Sequence, residues 1–140
     1  MKSSPTKGKS KTALQMKREM NRQIKEECDK TFADHIAKKL SLHVIHEFKF
    51  HDKRKWRIDH AIPTHKIAIE VEGGVWTKGR HVNPSGFISD MEKYNALSCA
   101  GWMLLRVQPK DLYSEKLLDN IRECCATKKI TKKVDPSPPN

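Results

Sequence analysis

Two short alternating runs that carry three acids constrain this chain more than anything else in it. The first is Trp56-Arg57-Ile58-Asp59-His60-Ala61-Ile62, broken by Pro63-Thr64-His65; the second covers residues 66–72 through Ile67-Ala68-Ile69-Glu70-Val71-Glu72 and ends at Gly73-Gly74. Side chains on a strand alternate between its faces. The pattern therefore predicts Ile67, Ile69 and Val71 on one face and Ala68, Glu70 and Glu72 on the other, with Asp59 sharing a face with Arg57 and Ala61. A hairpin brings Asp59 beside Glu70. Carboxylates that close repel unless a proton or a cation lies between them, and hard oxygen ligands suit Mg²⁺ or Mn²⁺. A divalent ion held on a positively charged protein points to phosphodiester chemistry. An amphipathic strand with acids on its solvent face gives the same Glu-x-Glu. Against that, acids are depleted in strands, and these run straight into two glycines, where backbone can approach a ligand closely.

The charge is unevenly placed. Residues 1–25 hold eight Lys/Arg against Glu19 alone, and residues 126–140 hold four lysines against Asp135; of a formal net charge of +11, these ends carry roughly +7 and +3, leaving roughly +1 for the middle. Basic arms of this kind bind phosphate without sequence preference. The expected organisation is a basic disordered arm over 1–18, one domain over 19–125, and a basic, Pro-containing disordered tail over 126–140. No apolar run is long enough to span a bilayer, and Lys2 is not followed by the apolar stretch of a secretory signal. Cys28, Cys99, Cys124 and Cys125 lack the paired spacing of a zinc site, and reduced thiols in a cytoplasmic setting fit them better than disulfides.

An apolar period of four through Ile24, Cys28, Phe32, Ile36 and Leu40 predicts a helix over about 19–40. Residues 44–50 alternate and read as a first strand, followed after a charged turn by the two acid-bearing runs. Residues 73–86 form a long Gly-, Lys- and His-bearing loop. Residues 87–100 read as a second helix stopped by Gly101, residues 102–107 as a buried strand, and residues 111–125 as a last amphipathic helix. The order is α-β-β-β-α-β-α, an α/β chain with a mixed sheet. Short connections imply antiparallel pairing among the first three strands, and the helical crossover a parallel fourth.

Taken in order, Arg57-Ile58-Asp59, Ala68-Ile69-Glu70-Val71-Glu72-Gly73-Gly74, Gly79-Arg80-His81, Gly86-Phe87, Asp90, Lys93-Tyr94-Asn95, Gly101-Trp102 and Leu105-Arg106 resemble a PD-(D/E)xK nuclease. The likeness is to the small, often phage-borne endonucleases of the restriction-endonuclease-like superfamily related to the very-short-patch-repair type, over roughly residues 25–122. It implies a restriction-endonuclease-like core and a divalent-metal-dependent endonuclease acting on DNA in the cytoplasm, the host's if the chain is phage-encoded. It also implies Asp59 and Glu70 as metal ligands with the Val71 carbonyl as a third. The family pattern has Lys two places after the Glu, where this chain has Glu72. Glu72 then ligates the metal or accepts the proton of water, and Lys93 supplies the positive charge from the following helix; its alternative is a surface ion pair with Asp90, three residues away. Glu47 is a secondary acid candidate.

His81 is a candidate to protonate the leaving oxygen or position water. Lys78 and Arg80, flanked by glycines, suit phosphate, and Trp76 suits stacking on a base. Arg54, Lys55 and Arg57 form a basic edge for backbone contacts. The rival expectations are a nuclease-like DNA-binding module without chemistry, an RNA-directed nuclease, and a branch- or junction-specific enzyme working as a homodimer.

Overall fold

The computed structural model describes residues 10–73 and 84–131. Among them it has the helix α1 (Ala13–Leu40), the strands β1 (Ile45–Lys49), β2 (Arg57–Ile62) and β3 (Ile67–Val71), the helix α2 (Pro84–Cys99), the strand β4 (Met103–Val107) and the helix α3 (Glu115–Thr131). Single 3₁₀ turns at Pro63–His65 and Pro109–Asp111 join β2 to β3 and lead toward α3. The chain forms two compact units, residues 1–31 and 32–140.

In the first unit α1 starts at Ala13 rather than at 19. Thr12 and Gln15 explain the earlier start. The Gln15 amide donates to Thr12 Oγ1 (3.3 Å) and the Thr12 amide donates to Gln15 Oε1 (2.8 Å), a reciprocal capping box that satisfies two otherwise orphaned donors. Leu14, Met16, Met20 and Ile24 are exposed. Helix formation here is supported by caps and by surface ion pairs such as Lys25–Asp29 (2.8 Å), each worth a few tenths of a kcal/mol.

The second unit is built on a four-stranded sheet in the order β1-β2-β3-β4, with β1–β2 and β2–β3 antiparallel and β3–β4 parallel. This is the mixed α/β arrangement expected. One face carries Ile62, Ile67, Ile69 and Val107 against Phe32 and Ile36 of α1 and Leu117, Leu118 and Ile121 of α3. The other carries Ile58, Ala61 and Ala68 against Leu97 of α2, with Tyr94, Trp102 and Leu104 packed around them. Ala61 and Ala68 stand opposite each other, and their small side chains leave space for Leu97, which is fully buried. The faces of β3 thus divide as the alternation predicts.

Three local devices set the ends of these elements. Gly101 adopts φ +77, and the Trp102 amide returns to the Leu97 carbonyl (3.0 Å), which closes α2 and turns the chain into β4. Ser114 Oγ accepts the Leu117 amide (3.2 Å), so α3 begins at Glu115 instead of 111. The helix continues to Thr131, beyond the expected end at 125. Glu47 sits at φ +49, between the cross-strand pairs His46↔His60 and Phe48↔Ile58. The alternation of both paired strands is interrupted there: His60 contacts Phe32, whereas Phe48 and Ile58 pack on the α2 side with Ala61, so Ile58 does not share the face of His60 and Ile62 that strict alternation would give it.

Candidate active site

The β2–β3 ladder includes the pair His60↔Ile69, so the next opposed positions are Asp59 and Glu70. Beyond that pair the carboxylates replace backbone acceptors. The Val71 amide donates to Asp59 Oδ2 (2.9 Å), and the Asp59 amide donates to Glu70 Oε1 (3.2 Å). Each acid is held by the backbone of the other's strand. Glu70 is only 7% exposed.

Lys93 reaches this pair from the middle of α2. Its ammonium donates to both Glu70 oxygens, at 3.0 Å each, and both side chains are largely buried. Among the described residues it is Glu70, not Asp90, that pairs with Lys93. Burial raises the Glu70 pKa above its ordinary value; the Lys93 hydrogen bond opposes the shift, and the Asp59 charge adds to it. A buried acid beside a second acid and one ammonium is an electrostatically tense arrangement.

Glu72 lies one alternation further along the same face. Its amide donates to the Val107 carbonyl (2.8 Å). Its Oε1 accepts Arg106 Nε at 2.6 Å and the Tyr94 hydroxyl at 3.4 Å. The Arg106 guanidinium also lies 5.4 Å from the centre of the Tyr94 ring. Burial, with Glu72 and Glu70 adding to it, pushes the Tyr94 pKa up to about 12, which keeps its hydroxyl a donor at neutral pH.

The fold therefore brings Asp59, Glu70, Val71, Glu72 and Lys93 together from β2, β3 and α2. Glu47 is exposed on β1, between the cross-strand pairs His46↔His60 and Phe48↔Ile58. Arg54 donates to Glu92 (2.7 Å) and stacks over Trp56 (4.4 Å), which ties the β1–β2 turn to α2; Lys55 and Arg57 are exposed beside it. Trp76, Lys78, Arg80 and His81 lie outside the described residues. Tyr94 and Arg106 stood in the sequence pattern without a role. The parallel register Glu70↔Arg106 carries that arginine to the site, and no local spacing announces it. A second polar pair, His46 and His60, joins β1 to β2 with its Nδ1 atoms 2.7 Å apart.

Asp59 and Glu70, on opposed strand residues, are hard oxygen donors of the kind Mg²⁺ or Mn²⁺ takes, and here they accept from the Val71 amide, the Asp59 amide and the Lys93 ammonium. Lys93 holds one positive charge against Glu70 already. No family model, curated protein or solved structure matches this chain. Among the described residues no helix is long and apolar enough to cross a membrane.

Proposed function

We propose that this chain is a divalent-metal-dependent endonuclease that hydrolyses phosphodiester bonds in DNA. The observation that carries the reading is the meeting of Asp59, Glu70 and Lys93, from three separate segments, on one sheet face. Mg²⁺ or Mn²⁺, held by Asp59, Glu70 and the Val71 carbonyl, would supply Lewis-acid polarisation and neutralise charge on the phosphate. Asp59 and Glu70 orient each other through backbone amides. Lys93 offers an ammonium beside Glu70, the charge that the family pattern places two residues after the Glu. Glu72, locked by Arg106 and Tyr94, stands as the next acid along the face and as the candidate to accept a proton from water. The basic ends of the sequence favour a polyanionic substrate.

One observation favours the second reading, a nuclease-like DNA-binding module. Lys93 already bonds both Glu70 oxygens and so satisfies internally the charge a metal would balance. Cleavage separates the two. Plasmid, single-stranded DNA, branched DNA and RNA are incubated with Mg²⁺ or Mn²⁺, with and without EDTA. Products from DNA that EDTA abolishes support the nuclease. Salt-sensitive binding with no products supports the module, and products from RNA alone reassign the substrate.

A further inference from the structure

We propose that Arg106 is a phosphate-binding arm for DNA, stored on Glu72 while the site is empty of nucleic acid; this rests on the nucleic-acid reading of the site. Arg106 is on β4, at the register position of Glu70, and so shares the face of the carboxylate pair. Its Nε is taken by Glu72 at 2.6 Å. Its terminal nitrogens have no acceptor among the described residues, and 57% of its side chain is exposed. A guanidinium carries five N–H donors in a planar fork suited to bidentate binding of phosphate oxygens. Most of that fork is unspent here and turned outward.

The partner of the pair is fixed and the arginine is the movable member. Glu72 is anchored through its amide to Val107 and through its carboxylate to the Tyr94 hydroxyl. Arg106 is guided along the Tyr94 ring. An exposed ion pair contributes little net free energy, so a phosphate can displace Glu72 as the acceptor without a large cost. The exchange moves a positive charge onto the substrate backbone and leaves the Glu72 carboxylate with the Tyr94 hydroxyl as donor but without its cation, two residues from Glu70. Substrate arrival and the release of an acid beside the carboxylate pair thus become one event.

Binding in EDTA tests this without any cleavage. Anisotropy of a labelled DNA duplex is followed across a salt series for the unsubstituted protein, Arg106→Ala, Arg106→Lys and Glu72→Gln, with urea midpoints as a check of folding. The expected result for Arg106→Ala is roughly tenfold weaker binding and a log–log salt slope smaller by about one phosphate. Arg106→Lys should keep the slope and lose part of the affinity. Glu72→Gln, which removes the charge that competes with phosphate for the arginine, should bind several-fold tighter. An unchanged slope in Arg106→Ala together with unchanged affinity in Glu72→Gln overturns the proposal. If Arg106→Ala fails to fold, Arg106→Lys decides: weaker binding at an unchanged slope supports the bidentate arm, and unchanged affinity refutes it. The outcome is independent of cleavage, so a protein that never cuts DNA can still pass, and one that cuts can fail.

Discussion

Two ion pairs stand one alternation apart on the same sheet face, and they differ in kind. Lys93–Glu70 is 13% and 10% exposed at its side chains, whereas Arg106–Glu72 is 57% and 32% exposed. The inner pair joins α2 to β3 where water is largely excluded, and it sits against a second acid. The outer pair joins β4 to the end of β3 in partial contact with solvent. Buried pairs are costly to form and costlier to break one-sidedly; exposed pairs exchange partners readily. One sheet face therefore offers a rigid acid pair and, beside it, a replaceable contact.

Neutralising the inner acids should have the largest effect. If they hold the metal, Asp59→Asn or Glu70→Gln should lower DNA cleavage by about a thousandfold or more while duplex binding in EDTA stays near that of the unsubstituted protein. Next in size is stability. Lys93→Ala strands the buried Glu70 charge and should lower the unfolding free energy by about 3 kcal/mol, whereas Arg106→Ala should lower it by less than about 1 kcal/mol. Urea denaturation of the two variants, side by side, measures the contrast; equal losses would erase it.

A pH series sharpens the same contrast. Burial raises the Glu70 pKa, so the fold favours its protonated form. That contribution is fully present below the ordinary value of 4.5 and is lost as pH rises through the raised one. Glu70→Gln cannot ionise, so its stability relative to the unsubstituted protein should improve as pH rises from about 4 to about 7. A flat difference across that range would contradict the burial argument. The smallest effect expected in this region is at Tyr94. Its phenol should titrate near 12, against 10 for an ordinary tyrosine, and phenolate absorbance reads this directly. The stability it lends is present below 10 and fades as pH rises through about 12.

Much of the fold was legible in the sequence because it rests on periodicity. Alternation placed Ile67 and Ile69 opposite Ala68 and Glu70, the turn at Pro63 set Asp59 beside Glu70, and Gly101 marked the end of α2. The early start of α1 was written in Thr12 and Gln15, but an apolar period cannot detect a capping box. Ser114 likewise outweighed Asp111 as the start of α3 because its hydroxyl reaches an orphan amide. The kink at Glu47 leaves no trace in composition, since a non-glycine residue there takes a left-handed φ. Within the candidate site, Lys93 was visible as a helix position following the acids. The bond from Arg106 to Glu72 was not, because it joins residues 34 apart through a parallel register that only tertiary packing sets.

A metal-dependent hydrolytic centre at Asp59 and Glu70 is tested by the nicking of supercoiled plasmid with Mn²⁺ by the unsubstituted protein beside Glu70→Gln, at matched DNA occupancy. Nicked and linear products are expected from the first, none from the second, and none from either in EDTA. Equal cleavage by both proteins, or none by either despite full occupancy, would contradict it.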